Sequence, residues 1–322
     1  MVHNLLLHSF IVTSRQHANP FFRFDDFFVR PTLHQVNYKF TFPFVDLPKK
    51  IGPFRKDADW TPDEDHLWNR ITRFGKQSDD VYFTVMSEPR LYDTPAMIRV
   101  NRNGVNPTVD AYDDIARLTE RVLGVHVFFH SVELAVDWIN PPWGKESYFQ
   151  FRFVSWNLRC SRFVKKTLYI GSQEGPLEIC LYDRGTYKKL PHNWDRIEFR
   201  IKLVRHRKAI FKTLREFIDS GQLKTRTWGR MTILKKSVLK MGLENGQKEE
   251  AKIGGAQAVF RVLKKPHLSR RMNESIVDNF LYENADPDMT SLLNKAIDFL
   301  IKQLCSHPEG LSQPIIIRPW DL

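Results

Sequence analysis

The chain has 322 residues, 42% of them apolar and 13% aromatic, enough to bury a sizeable core, and this composition excludes a largely disordered chain. Lys and Arg exceed Asp and Glu by 12, which favours polyanionic partners, nucleic acid or an anionic membrane. The surplus is local, because the stretch from Arg205 to Arg271 carries 18 Lys or Arg against 5 acidic residues and the rest is close to neutral. That placement is the footprint expected of a nucleic-acid-binding segment.

Leu5 to Val12 is the longest N-terminal apolar stretch. His8 and Ser9 interrupt it, no Lys or Arg precedes it, and it is too short to cross a bilayer, so a strand is expected and a signal peptide or membrane partner is not. Val36 to Asp46 partly alternates and reads as a strand, and a polar, proline-containing interval follows up to about Gly75. Val81 to Met86 and Ala96 to Val100 read as strands joined by a loop. Thr108 to Leu123 predicts the first clear helix, with Thr108 as cap, Asp110 in the first turn, an apolar stripe of Tyr112, Ile115, Leu118 and Val122, and Gly124 as terminator.

Three further strands are expected at His126 to Ile139, Leu177 to Tyr182 and Arg196 to Val204, with an apolar, aromatic run at Tyr148 to Trp156. From Arg205 the period becomes helical, with Ile210, Phe211, Leu214 and Phe217 on one side and Gly221 closing the element. Asp288 to Leu304 is the cleanest helix, with Leu292, Leu293, Ala296, Ile297, Leu300, Ile301 and Leu304 on one stripe. The fold class expected is α+β: an antiparallel central sheet with flanking helices over residues 1–204, then a basic, mainly helical region over residues 205–322. Cys160, Cys180 and Cys305 are scattered and lack CxxC spacing, which points to a reducing, cytoplasmic setting and away from disulfides and a zinc site.

Alternation along strands sorts the polar residues by face. Glu133 and Asp137 share a face with Ser131 and Ala135. Arg196, Glu198, Arg200 and Lys202 lie opposite the apolar Ile197, Phe199 and Ile201. Tyr182 lies with Cys180 and Glu178, while Asp183 points the other way unless the strand ends or bulges there. Each of these alone is an ordinary strand residue; three adjacent strands would gather them. His126 and His130 face away from Glu133 and Asp137 and read as packing or surface histidines.

Three segments in this order carry a resemblance: Ser131-Val132-Glu133-Leu134-Ala135-Val136-Asp137, Tyr169 to Arg184 (YIGSQEGPLEICLYDR), and Trp194-Asp195-Arg196-Ile197-Glu198-Phe199-Arg200. Over roughly residues 80 to 205 the chain resembles the replication initiation factors of rolling-circle plasmids and filamentous phages and related relaxases. It departs from that family at Glu133, where Asp is usual, and at Gln173 and Cys180, where Arg is usual. The resemblance implies metal-dependent nicking and rejoining of one origin strand through a covalent 5′-phosphotyrosine. Tyr182 is then the nucleophile, with Tyr169 and Tyr187 as alternatives. A free phenol, with a pKa of about 10, needs help to attack a phosphodiester. Oxygen ligands from Glu133, Asp137, Asp183 and Glu198 suit Mg²⁺ or Mn²⁺ for that purpose.

DNA contacts are expected from Arg184, Arg196, Arg200, Arg205, Arg207, Lys208, Lys224, Arg226, Arg230, Lys235 and Lys236, with Trp228 placed either to stack on a base or to anchor local packing. The expected partners are origin DNA, single-stranded or as a stem-loop, a host helicase, and a second copy in a homodimer. A metal-dependent endonuclease using water, a non-catalytic DNA-binding protein or repressor, and an assembly protein with an incidental basic patch are the alternatives.

Overall fold

The computed structural model describes residues 22–24, 27–41, 46–62, 67–76, 79–90, 95–102, 109–141, 152–155, 158, 161–173, 175–189, 193–203, 211–223, 231–235, 279–280 and 282–305. The strands in chain order are β1 (Phe22–Phe24), β2 (Phe27–Phe40), β3 (Lys50–Ile51), β4 (Phe54–Trp60), β5 (Trp68–Lys76), β6 (Asp79–Pro89), β7 (Met97–Arg102), β8 (Val127–Ile139), β9 (Phe153–Ser155), β10 (Ser161–Val164), β11 (Thr167–Ile170), β12 (Leu177–Asp183), β13 (Trp194–Lys202) and β14 (Met231–Ile233). The helices are α1 (Val109–Leu123), α2 (Arg184–Tyr187), α3 (Leu214–Asp219) and α4 (Pro287–Cys305). Twelve strands form one antiparallel sheet in the order β10-β11-β12-β13-β8-β2-β7-β6-β5-β4-β3, with β1 pairing the start of β2; β14 and β9 form a separate pair. Sheet and flanking helices bear out the α+β expectation. Among the described residues, no helix is long and apolar enough to cross a membrane.

The sheet has two unlike faces. Val36, Ile98, Val100, Val132, Leu134, Val136, Ile197, Phe199 and Ile179 are buried together on one of them. Against this face pack α1, α3 and α4, which bring Tyr112, Ala116, Leu214, Phe217, Leu293, Ile297 and Leu300 into the same core. Helices covering one face of an antiparallel sheet leave the other free for polar side chains, which is the two-layer logic of α+β proteins.

Several boundaries follow the sequence reading. The stripe of α4 is buried at Leu293, Ala296, Ile297, Leu300, Ile301 and Leu304, and Leu292 is partly buried against the same core. In α1 the buried face runs through Val109, Tyr112, Ile115, Ala116 and Thr119, so Val122, expected on the stripe, is instead 43% exposed in the last turn. Gly124 terminates that helix at a φ of 65°, a left-handed conformation glycine adopts without strain. The helix expected from Arg205 is described only at α3, where Thr213 accepts from the Glu216 amide and Glu216 from the Lys212 amide, a capping arrangement. The Leu5 to Val12 strand and the Thr108 cap lie outside the described residues. Strands β4 and β5, read from sequence as a polar interval, form a hairpin on the far arm of the sheet. They look polar because Asp59 bonds Arg70 and Thr72 across the pair and Lys56 along its own strand.

The long β2 contains an irregularity that matters for the site. Its register to β8 shifts between Leu33 and Gln35, so His34 is an extra residue. A bulge of this kind re-aims a side chain and leaves a backbone group in need of a partner. The Leu33 carbonyl accepts a hydrogen bond from the Tyr112 hydroxyl of α1 at 3.0 Å, and the Tyr38 hydroxyl donates to Asp113 of the same helix at 2.7 Å. Asp113 also accepts from the Leu214 and Arg215 amides, so one buried carboxylate ties β2, α1 and the start of α3 together. Tyr112→Phe is expected to destabilise the fold by about 1–2 kcal/mol, the cost of an orphaned buried carbonyl. Urea unfolding of the variant checks this, and an unchanged midpoint would mean the bulge does not depend on that hydroxyl.

Candidate active site

The polar face around β12, β13, β8 and β2 is laid out by register. Tyr182, Arg196, Asp137 and Arg30 stand opposite one another in turn across the four strands. Two residues along come Cys180, Glu198 and Ala135, and two further along Glu178, Arg200, Glu133 and Gln35. Because side chains alternate, these three rows share one face. Glycine is required just beside it. Gly171, in the β11–β12 turn, has a φ of 100°, and a Cβ there would lie 2.7 Å from the Leu177 carbonyl oxygen.

Asp137 is completely buried and closely held. Arg196 donates to both its oxygens, at 2.6 and 2.7 Å, Trp194 Nε1 donates at 2.7 Å, and Arg30 donates at 3.0 Å. The Arg184 guanidinium sits 3.5 Å away, and Arg30 and Arg184 both lie over the Trp194 ring. Burial alone would raise the carboxyl, but the Arg196 and Arg30 charges outweigh it, so Asp137 is held below the usual carboxylate range.

The second carboxylate, Glu198, accepts the Tyr182 hydroxyl at 2.6 Å. The His34 Nε2 lies 3.5 Å from the same oxygen, and Arg200 donates to the other at 3.3 Å. Burial would raise Glu198, yet His34, Arg196, the Tyr182 hydrogen bond and Arg200 bring it down. Burial, and next the Glu198 charge, push the Tyr182 phenol well above its ordinary value, so its proton is firmly held at rest. Burial, then the Arg196 charge, lower His34 to about 4. The neutral ring can accept from Arg196 at Nδ1, 3.3 Å away, while its Nε2–H points to Glu198.

Arg200 is shared among three acids, Glu198, Glu178 and Glu133. Glu178 also accepts from Arg162. Glu133 accepts from Gln35 at 3.1 Å, and burial is the main cause that raises it to about 6. The cluster thus sets five guanidiniums, Arg30, Arg162, Arg184, Arg196 and Arg200, against four carboxylates, Asp137, Glu133, Glu178 and Glu198. Three of those guanidiniums meet on Asp137 alone.

The residues singled out from sequence are therefore partly assembled. Tyr182, Glu198, Glu133 and Asp137 share the face, and Arg184, Arg196 and Arg200 line it. Asp183 is placed elsewhere: it points to the other side of the strand end and caps α2, accepting from the Thr186 amide and hydroxyl. Asp137 has no oxygen left for a cation, since each already accepts from arginine. The four carboxylates expected to hold Mg²⁺ or Mn²⁺ thus do not fit such an ion as a set, and no three His, Cys, Asp or Glu among the described residues converge on a common point. Lys235 is bonded to the Glu283 carbonyl beside β14, apart from this cluster. Arg205, Arg207, Lys208, Lys224, Arg226, Arg230, Lys236 and Trp228 lie outside the described residues. Of the alternative tyrosines, Tyr187 is 73% exposed with its ring centroid 6.2 Å from that of Tyr182, and Tyr169 stands beside Cys180 beneath the Arg162 guanidinium.

Sequence reasoning missed Arg30, His34, Gln35 and Arg162, and placed Glu178 on the face of Tyr182 without giving it a part. A signal for three of them was present in β2, where polar residues fall at 30 and 32 and then at 35 and 37. That slip by one is the mark of a bulge at His34.

No protein-family model matches the chain, and no curated protein matches it. A solved structure of a rolling circle replication initiator protein from Geobacillus stearothermophilus is 13% identical, with a TM-score of 0.28, over 54% of this chain and 74% of its own. That likeness is too slight to bear on function, and no residue role is carried over from it.

The perturbed groups set opposite pH trends. The folded value of His34, about 4, is below its ordinary 6.5, so its stabilising contribution is complete above about pH 6.5 and is lost as pH falls towards 4. Glu133, raised from 4.5 to about 6, costs stability above pH 6 and nothing below 4.5. Glu133→Gln is expected to stabilise by about 1–2 kcal/mol at pH 7.5 and by little at pH 4.5, as urea titrations at the two pH values would show. Equal effects at both would rule out a titrating Glu133. The excess of guanidinium predicts that millimolar phosphate raises the thermal midpoint, whereas Mn²⁺ alone does not.

Proposed function

We propose that the protein is a DNA strand-nicking and rejoining enzyme of the replication-initiator kind, with Tyr182 as nucleophile and Glu198 as its base. The observation that carries this reading is the 2.6 Å hydrogen bond from the Tyr182 phenol to the Glu198 carboxylate, on a face lined by Arg196, Arg200, Arg184 and Arg30. The motif resemblance over residues 80–205 supports the choice of DNA as substrate.

A phosphodiester laid on this face meets guanidinium forks suited to its oxygens. The Tyr182 oxygen attacks phosphorus as Glu198 takes the phenol proton, and the bond to the 3′ oxygen breaks. That oxygen leaves and takes a proton from water, so the cut strand ends in a free 3′ hydroxyl and a 5′-phosphotyrosine. In the reverse step a 3′ hydroxyl, giving its proton to water, attacks the phosphotyrosine, the bond from phosphorus to the Tyr182 oxygen breaks, and Glu198 returns the proton to Tyr182. Arg200 and Arg184, both partly exposed, neutralise charge building on the phosphoryl oxygens, where fixed donors in a dry site contribute most, while Arg196, engaged by Asp137, positions Glu198. His34, neutral and between Arg196 and Glu198, orients the base. Of the expected metal ligands, only Glu133 and Glu198 face the site free of a complete arginine shell. The basic stretch from Arg205 to Arg271 supplies further grip on origin DNA.

A second reading, a DNA-binding protein without catalysis, is favoured by the firmly held Tyr182 proton. The two separate when the protein is incubated with Mn²⁺ and a labelled single-stranded origin-like oligonucleotide. Nicking predicts a denaturation-resistant protein–DNA band that disappears in Tyr182→Phe and falls by about 10²–10⁴-fold in rate in Glu198→Gln. Binding with no band from the unaltered protein supports the second reading. Cleavage that persists in Tyr182→Phe but stops in Tyr187→Phe transfers the role to Tyr187.

A further inference from the structure

The polar face does not end at Gln35. It continues across β2 onto β7, β6 and β5, on the arm away from Tyr182. There the register lines up Arg73, Thr84, Arg99, Asn37, Ser131 and Lys202 as one row across six strands, beside a second row of Tyr82, Asn101, Gln35, Glu133 and Arg200. The part of these rows on β5, β6 and β7 plays no part in the chemistry at Tyr182.

Gln35, Asn37, Ser131 and Glu133 bond one another, but the groups beyond β2 are less well matched. Among the described residues Arg99 has no carboxylate within ion-pair distance, and its guanidinium meets only the Asn37 side chain, at 3.4 Å. Burial pulls that guanidinium below its ordinary value. The Asn101 Oδ1 is buried without a hydrogen-bond partner among the described residues, whereas the Arg73 Nε lies 3.4 Å from the Asp57 carboxylate. Buried polar groups are normally paired, so an orphaned amide oxygen beside a guanidinium that meets no carboxylate among the described residues marks a place where a ligand completes the bonding. The Arg73 guanidinium covers one side of the Tyr82 ring at 4.1 Å, a flat aromatic and cationic element of the sort on which bases stack.

We infer that this arm, centred on Arg99, is a second contact for the same DNA strand that Tyr182 acts on, binding a phosphate several nucleotides from the cut. The inference rests on the proposal that the Tyr182 face takes DNA. Arg99 donates to the phosphate oxygens, and the Asn101 amide, whose oxygen has no partner among the described residues, meets the adjoining nucleotide. Five interstrand steps of about 4.8 Å put the ends of the Arg73–Lys202 row roughly 24 Å apart, room for several nucleotides of one strand.

The experiment measures fluorescence anisotropy of labelled single-stranded DNA, about 4 and about 12 nucleotides long, in the Tyr182→Phe protein so that no strand is cut. The longer oligonucleotide is expected to bind tighter. Arg99→Gln lowers that advantage about tenfold and reduces the slope of log affinity against log salt by about 0.7, while Arg99→Lys restores most of both. Both variants are compared at matched unfolding midpoints, so that a folding defect in one leaves the other to decide. Equal affinity and equal salt slope in Arg99→Gln overturn the inference. Failure of either oligonucleotide to bind even without the Arg99 change overturns it together with the reading of the Tyr182 face. Arg99-dependent binding without any covalent band upholds this contact and removes only the nicking.

Discussion

The site depends on a single buried ion pair, Asp137 with Arg196. Removing both charges from water costs several kcal/mol per ion, and only close, multiple hydrogen bonds offset that cost. Here Arg196 is bidentate, Trp194 and Arg30 fill the remaining lone pairs, and Arg184 stands behind them. The pair joins β13 to β8, and Arg30 extends it to β2. A slip of one residue in either register would turn these side chains to the opposite face, so the pair and the register enforce each other. Arg196, held in this way, is the group that meets His34 and Glu198, and Glu198 in turn holds Tyr182.

That arrangement is possible because the sheet divides its work between two faces. The helices α1, α3 and α4 cover one face with apolar side chains, and the hydrophobic burial there stabilises the strands. The other face is then at liberty to collect charges. The His34 bulge connects the two: its carbonyl neighbour is bonded from the helix side by Tyr112, and its ring is turned to the charged side. Packing on one face thus positions a group that acts on the other.

The charge balance explains what kind of ligand the face suits. Each carboxylate already meets at least one guanidinium, and the guanidiniums are in excess, so an added anion finds donors while an added cation finds carboxylates already engaged. A phosphodiester carries one negative charge and several acceptor oxygens, matching partly exposed forks such as those of Arg200 and Arg184. The same imbalance recurs farther along the sheet at Arg99.

Much of the fold and part of the site were legible in the residues alone. Periodicity marked α1, α4 and the strands β8, β12 and β13, because a period of 3.6 or 2 records which side of an element is buried. Alternation likewise placed Tyr182, Glu198, Arg196, Glu133 and Asp137 on one side of their strands. Which charges would meet was settled only by the tertiary structure, since pairing across strands depends on strand order and register, which no local pattern contains. Asp137 looked like a ligand and is an anchor for arginines; Asp183 caps a helix turn because the strand ends there. His34 entered the site through a bulge in a strand whose neighbours, β8 at sequence distances near one hundred, could not be inferred from the strand itself.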